Sequence, residues 1–110
     1  MTGNEFQKCA LRTAGEHTGI DLLLNGVMGL AGEAGECVDL VKKMLFQGHD
    51  LDRQRLAKEL GDVAWYLAIT AQAIERPLDE IFQGNIDKLI ERYPDGFDPE
   101  RSRNRRAGDV

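Results

Sequence analysis

From Asn25 to Gln47, and again from Asp52 to Ile74, apolar residues return every three or four positions. That spacing lines them along one side of a helix, and two such stretches in succession leave the chain few folds other than packed helices. β-Branched residues are scattered and period-2 alternation is missing, so no sheet is expected. The chain is read as all-α. A first helix is predicted from about Asn4 to Thr13, with Phe6, Cys9, Ala10 and Thr13 on one side, followed by the Gly-containing connection AGEHTGIDLL. A second runs from Leu24 or Asn25 to Gln47 and stops at Gly48, the residue type that best tolerates a left-handed conformation after a helix end. A third starts at Asp50 or Asp52, both good N-caps, and continues to about Ile74. Pro77 suits the first turn of a fourth, with Asp79 and Glu80 at the positive end of the dipole, and that helix ends before Pro94.

On a helical wheel, Leu30, Ala34, Cys37, Leu40, Val41 and Met44 form the apolar stripe of the second helix. Glu33 falls inside the stripe and Glu36 at its edge, whereas Asp39 and Lys42 point away. In the third helix Leu56, Leu60, Val63, Tyr66, Leu67 and Ile74 surround the direction of Glu59, and Asp62 falls between Tyr66 and Ile69. A single such pair is ordinarily a solvated face. Two pairs on the apolar sides of consecutive helices are much rarer, because desolvating an unpaired carboxylate is costly and crowding four adds repulsion. A divalent cation offsets both, and carboxylates without His or thiolate select hard ions such as Mg²⁺, with Mn²⁺ as a substitute. Di-iron bundles need Glu-x-x-His pairs, and neither His17 nor His49 follows a glutamate at that spacing. The GHD at 48 to 50 is discarded as a metal phosphohydrolase motif because only His17 remains as a further His ligand. No GxxxxGK, GxGxxG or nucleophile elbow occurs.

The segment GEAGE supplies Glu33-x-x-Glu36, and after 22 residues KELGD supplies Glu59-x-x-Asp62. This resembles the ExxE…ExxD signature of MazG-like nucleoside triphosphate pyrophosphohydrolases, and NIDKLIERYPDGF is similar to that family's C-terminal segment. The resemblance covers about residues 5 to 97. It implies a four-helix MazG-like bundle that assembles as a homo-oligomer, a homodimer or a dimer of dimers. The implied reaction is hydrolysis of an NTP or dNTP between the α and β phosphates, with metal-activated water giving a monophosphate and pyrophosphate. By motif position Glu33, Glu36, Glu59 and Asp62 hold Mg²⁺ and serve catalysis, and Asn85, Lys88 and Arg92 grip phosphate oxygens. Without the resemblance, Lys88 and Arg92 read as a solvated face and Asn85 as a cap for a neighbouring backbone group. Tyr66, one turn after Asp62, is placed to stack on a base, as are Trp65, Phe46 and Phe82, although core packing is the better reading of each. Lys43, beside Glu36, is the second-helix lysine best placed to touch phosphate. Gly84, inside a helix, points to close approach of a neighbour or to tolerance on an exposed face.

Composition sets the remaining bounds. One hundred and ten residues, 42% hydrophobic and 30% charged, suit a single domain with a modest core, here residues 1–98. The second and third helices are apolar over more than one sector, which a lone four-helix chain cannot cover. A net charge of -5 argues against nonspecific nucleic-acid binding. The basic tail 99–110, with Arg101, Arg103, Arg105 and Arg106, lies across a partner, closes over phosphates, or is frayed in solvent. No run is long enough to span a bilayer and no signal peptide is legible, so a cytoplasmic location with no membrane partner is expected. Cys9 and Cys37, without a CxxC, read as reduced packing residues. The competing reading is a non-catalytic, metal-stabilised helical dimer acting as scaffold or nucleotide sensor.

Overall fold

The computed structural model describes residues 1–110 and is all-helical. Its elements are α1 (Gly3–Leu11), α2 (Gly19–Phe46), α3 (Arg53–Ala73), α4 (Leu78–Arg92) and the short α5 (Pro99–Arg103). α1 opens with a capping box: the Glu5 backbone N–H donates to Thr2 Oγ1 at 3.0 Å, and the Thr2 N–H to the Glu5 carboxylate at 3.3 Å. Of the two candidate caps for α3 the chain uses Asp52, which accepts from the Arg55 N–H at 3.0 Å. Gly48 takes the expected left-handed conformation, φ 70°, beyond the end of α2. α3 closes with Glu75 left-handed at φ 58°, while the Arg76 and Glu75 N–H groups return to the Ala71 and Gln72 carbonyls. Pro77 caps α4 from just outside its first turn.

α2 begins five residues before the expected Leu24, because packing overrides the glycine-rich look of the connection. Leu22 is buried in the core, and Gly19 provides the left-handed entry at φ 58° that lets the helix start there. The Thr18 side chain makes no capping bond, so this end is held by burial rather than by local hydrogen bonding. Cys9 is exposed rather than packed, Cys37 is half-buried, and neither forms a disulfide.

α2 and α3 form a long antiparallel hairpin, with α1 and α4 laid on α3 and on each other. The core is small and lies at one end of the hairpin: Ala10, Ala14, Leu22, Ala68, Ile69, Ala71 and Leu78. Gln7 is the polar tie within it. Its amide donates to the carbonyls of Ala68 at 3.4 Å and Arg76 at 3.0 Å, and its oxygen accepts from the Leu78 N–H at 2.8 Å. One face of α2 rests on α3 through two glycines. A Cβ at Gly26 would overlap the Thr70 side chain, and one at Gly29 would overlap the Tyr66 ring, so these positions admit the closest helix approach.

Elsewhere the apolar stripes are open. Val38, Leu45 and Phe46 of α2 are 66%, 62% and 80% exposed, and Ile86 and Ile90 of α4 are exposed as well. The radius of gyration is 16.9 Å, against about 13 Å for a compact chain of this length. A lone chain therefore has the four long helices of the expected bundle without its closed core.

Candidate active site

The Gly26–Thr70 and Gly29–Tyr66 contacts set the register of the hairpin. Each step toward the C-terminus of α2 is matched by a step back along α3. One turn beyond Gly29 on α2 comes Glu33, and one turn before Tyr66 on α3 comes Asp62, so the register itself brings the two acidic motifs face to face. Carboxylate oxygens of Glu33, Glu59 and Asp62 all lie within 4.8 Å of one another. Glu33 and Glu59 are half-buried and Asp62 is exposed. Glu36, expected at the edge of the buried stripe, is exposed and stands outside this trio. The stripe around Glu33 is less covered than the wheel implied, because no fourth helix closes over it within the chain: Leu30, Cys37 and Leu40 are half-buried, and Ala34 is exposed.

Crowding leaves an electrostatic mark. The Glu33 carboxyl is held above the usual carboxylate range, first by a hydrogen bond with Glu59, then by burial, then by the charges of Asp62, Glu59 and Glu36. A cation between these carboxylates would relieve the same crowding. Arg55 places its Nε 3.9 Å from Glu59, one helical turn on, and is the cation paired with the cluster. Three converging carboxylates with no nitrogen or sulfur donor match the ligand preference of a hard divalent ion.

The other expected site residues are scattered around this centre. Tyr66 is half-buried against Gly29 and meets Trp65 edge-to-face at 4.9 Å. Trp65 in turn donates from Nε1 to Thr13 Oγ1 at 2.9 Å, so Trp65 ties the segment after α1 to α3 and Tyr66 packs α3 on α2. Lys43 pairs with Asp39 at 3.0 Å rather than facing Glu36, and with Lys42 it holds the Asp39 carboxyl below its ordinary range. Phe46 and Phe82 are exposed. Asn85 lies exposed on α4 and its side chain caps no backbone group, since α4 packs mainly through its first turn, where Leu78 is buried. A Cβ at Gly84 would meet nothing, which excludes close approach to it within the chain.

Arg92 is already engaged. Its Nε donates to Asp109 at 2.9 Å and its terminal nitrogen at 2.5 Å, a bidentate pair in which the two side chains are only 9% and 17% exposed. The tail is accordingly anchored on α4 rather than frayed, with Arg106 bonded to Glu91 at 2.8 Å as a second tie. Sequence reasoning missed Asp109 as a partner of Arg92. The one signal for it was the tail's mixed charge, which named no pair.

Comparison with known proteins agrees with the geometry. The family model described as the MazG nucleotide pyrophosphohydrolase domain matches residues 24–97, which include both acidic motifs and α4. The Gene 37 protein of Mycobacterium phage L5 is 39% identical over 87 residues, spanning 76% of each chain. No solved structure matches.

Proposed function

We propose, from the premise that this chain belongs to the MazG nucleotide pyrophosphohydrolase family, that it hydrolyses an NTP or dNTP between the α and β phosphates, releasing a nucleoside monophosphate and pyrophosphate. The observation that carries this reading is the convergence of Glu33, Glu59 and Asp62 from two helices within 4.8 Å. Glu33, Glu59 and Asp62, with Glu36 reaching in from the same face of α2, would hold Mg²⁺, or Mn²⁺ in its place. When bound, such an ion supplies Lewis-acid polarisation of the phosphates and makes water a stronger nucleophile.

The chain's own groups have distinct tasks. The acids create a negative field that repels a bare triphosphate, so the substrate enters with its charge already offset. Water adds to the α phosphorus as the bond to the bridging oxygen breaks and pyrophosphate leaves. Glu33 and Glu59, half-buried at the centre of the cluster, are the carboxylates placed to take the water's proton. Lys88, Arg92 and Asn85 on α4 meet phosphate oxygens, Lys43 adds charge beside α2, and Tyr66 supports the base side of the site. The exposed apolar faces of α2 and α4 support assembly as a homodimer or dimer of dimers, in which a second copy covers them. The setting is a cytoplasmic nucleotide pool, kept clean or balanced by this activity.

Pyrophosphate release from a panel of NTPs and dNTPs, with and without Mg²⁺, tests the reading. Glu59→Ala is expected to lower the Mg²⁺-dependent rate by more than about 100-fold, beyond what losing a merely supporting group costs, with the helical signal intact. Binding without turnover across the whole panel would instead favour a scaffold or nucleotide sensor.

A further inference from the structure

Between the last turns of α4 and the tail lies a cleft of about 350 Å³ in which Ala107 and Val110 are the two hydrophobic residues among the eleven that line it. Lys88, Arg92, Arg101, Arg105 and Arg106 contribute five cations to it, against the carboxylates of Glu91 and Asp109. Arg106 is matched by Glu91 and Arg92 by Asp109, while Lys88, Arg101 and Arg105 enter no ion pair. Unmatched cations facing one cavity repel each other, and a multiply charged anion is the ligand that relieves them. Five cationic side chains and no aromatic ring line it, so the fitting class is an oligophosphate rather than a base.

A turn from Arg106 to Asp109 forms part of the wall of the cleft. The Asp109 N–H returns to the Arg106 carbonyl at 3.1 Å, and Gly108 takes φ 84°, which only glycine adopts without strain. This turn delivers the Asp109 carboxylate onto Arg92 in the same fork-to-fork arrangement that guanidinium makes with a phosphate. Lys88 and Arg105 also act on Asp109, helping to hold its carboxyl below the ordinary range.

We propose that Arg101 and Arg105 of the tail complete, with Lys88 and Arg92 of α4, an oligophosphate-binding cleft in which Asp109 occupies the place of one phosphate and must be displaced by it. The proposal rests on reading Lys88 and Arg92 as phosphate ligands. It adds the tail as part of the site and as an internal competitor. Because the Arg92–Asp109 pair is an intramolecular equilibrium, it weakens the apparent affinity by the fraction of time the latch is open.

Titration calorimetry in EDTA, where metal-dependent hydrolysis is not supported, separates this from the hydrolytic reading. With inorganic tripolyphosphate, Asp109→Asn is expected to bind about tenfold more tightly than the unaltered chain, for a latch shut nine-tenths of the time. Arg105→Ala is expected to bind about fivefold or more weakly with a shallower salt dependence, partly rescued by Arg105→Lys. Competition with an α,β-methylene nucleoside triphosphate identifies the source of the anion. Mutual displacement assigns the cleft to the substrate's phosphates, whereas tripolyphosphate and pyrophosphate binding that the nucleotide leaves untouched assigns it to the free anion. An Asp109→Asn protein that folds normally yet gains nothing for any of these ligands overturns the proposal. So does an Arg105→Ala protein that loses nothing. Absence of pyrophosphatase activity with this binding pattern intact would remove the hydrolytic reading alone.

Discussion

Glu33 carries a penalty that pH exposes. Its carboxyl holds its proton more tightly in the folded chain than in the unfolded one, because Glu59, burial and the neighbouring charges all oppose ionisation. Across the window above the ordinary carboxylate range the unfolded chain therefore binds fewer protons than the folded one, and folding stability falls as pH rises. Denaturant titrations of the metal-free protein are expected to show that decline from the ordinary carboxylate range up through Glu33's raised one. Glu33→Gln or saturating Mg²⁺ should flatten it, and an unchanged slope in Glu33→Gln would place the origin elsewhere. The acids were legible in the sequence because charged residues on apolar helix sides are chemically incongruous there. Asp109 was not, since its meeting with Arg92 depends on a turn at Gly108 and on where the tail runs. Nor was the exposure of Asn85, which a wheel cannot distinguish from burial when the facing surface belongs to no helix of the same chain.

At the level of elements, two glycines on α2 decide whether the acids meet. Gly26→Ala drives a methyl group into Thr70, including its backbone Cα, and is expected to destabilise the chain by about 1–3 kcal/mol. The same change at Gly84 meets nothing and should instead stabilise α4 by about 0.5–1 kcal/mol, as removing a glycine from a helix interior ordinarily does. Chemical denaturation of both variants checks the opposite signs. If they agreed in sign, the close approach at Thr70 would not be what sets the hairpin register. Helix existence and most ends followed from spacing and punctuation: Asp52, Gly48 and Pro77 all mark boundaries that the chain uses. The start of α2 did not follow, because burial of Leu22 extends a helix through residues whose local preference is for a connection.

For the molecule as a whole, the shortage of interior is the dominant fact. Only nine of 110 residues are buried, and large apolar side chains on α2 and α4 face outward. A chain so open is expected to run at the mass of a dimer or more in light scattering at micromolar concentration. Leu45→Asp, at a position 62% exposed in the single chain, should shift that mass toward the monomer and lower the melting temperature together. A monomeric mass for the unaltered protein would contradict it. The apolar excess was legible in the sequence, but which faces it falls on was not, because wheel angles rank directions without saying how many neighbours are present.

The one-sided core has a mechanical consequence. The α2–α3 hairpin is clamped near Leu22 and Ile69, bears mutually repelling acids at its middle, and has little to hold it toward Gly48. It is built like tongs, with a stiff joint and free tips. Amide exchange should therefore be slowest around Ile69 and fastest toward Gly48, and magnesium should slow the tips as well as the grip.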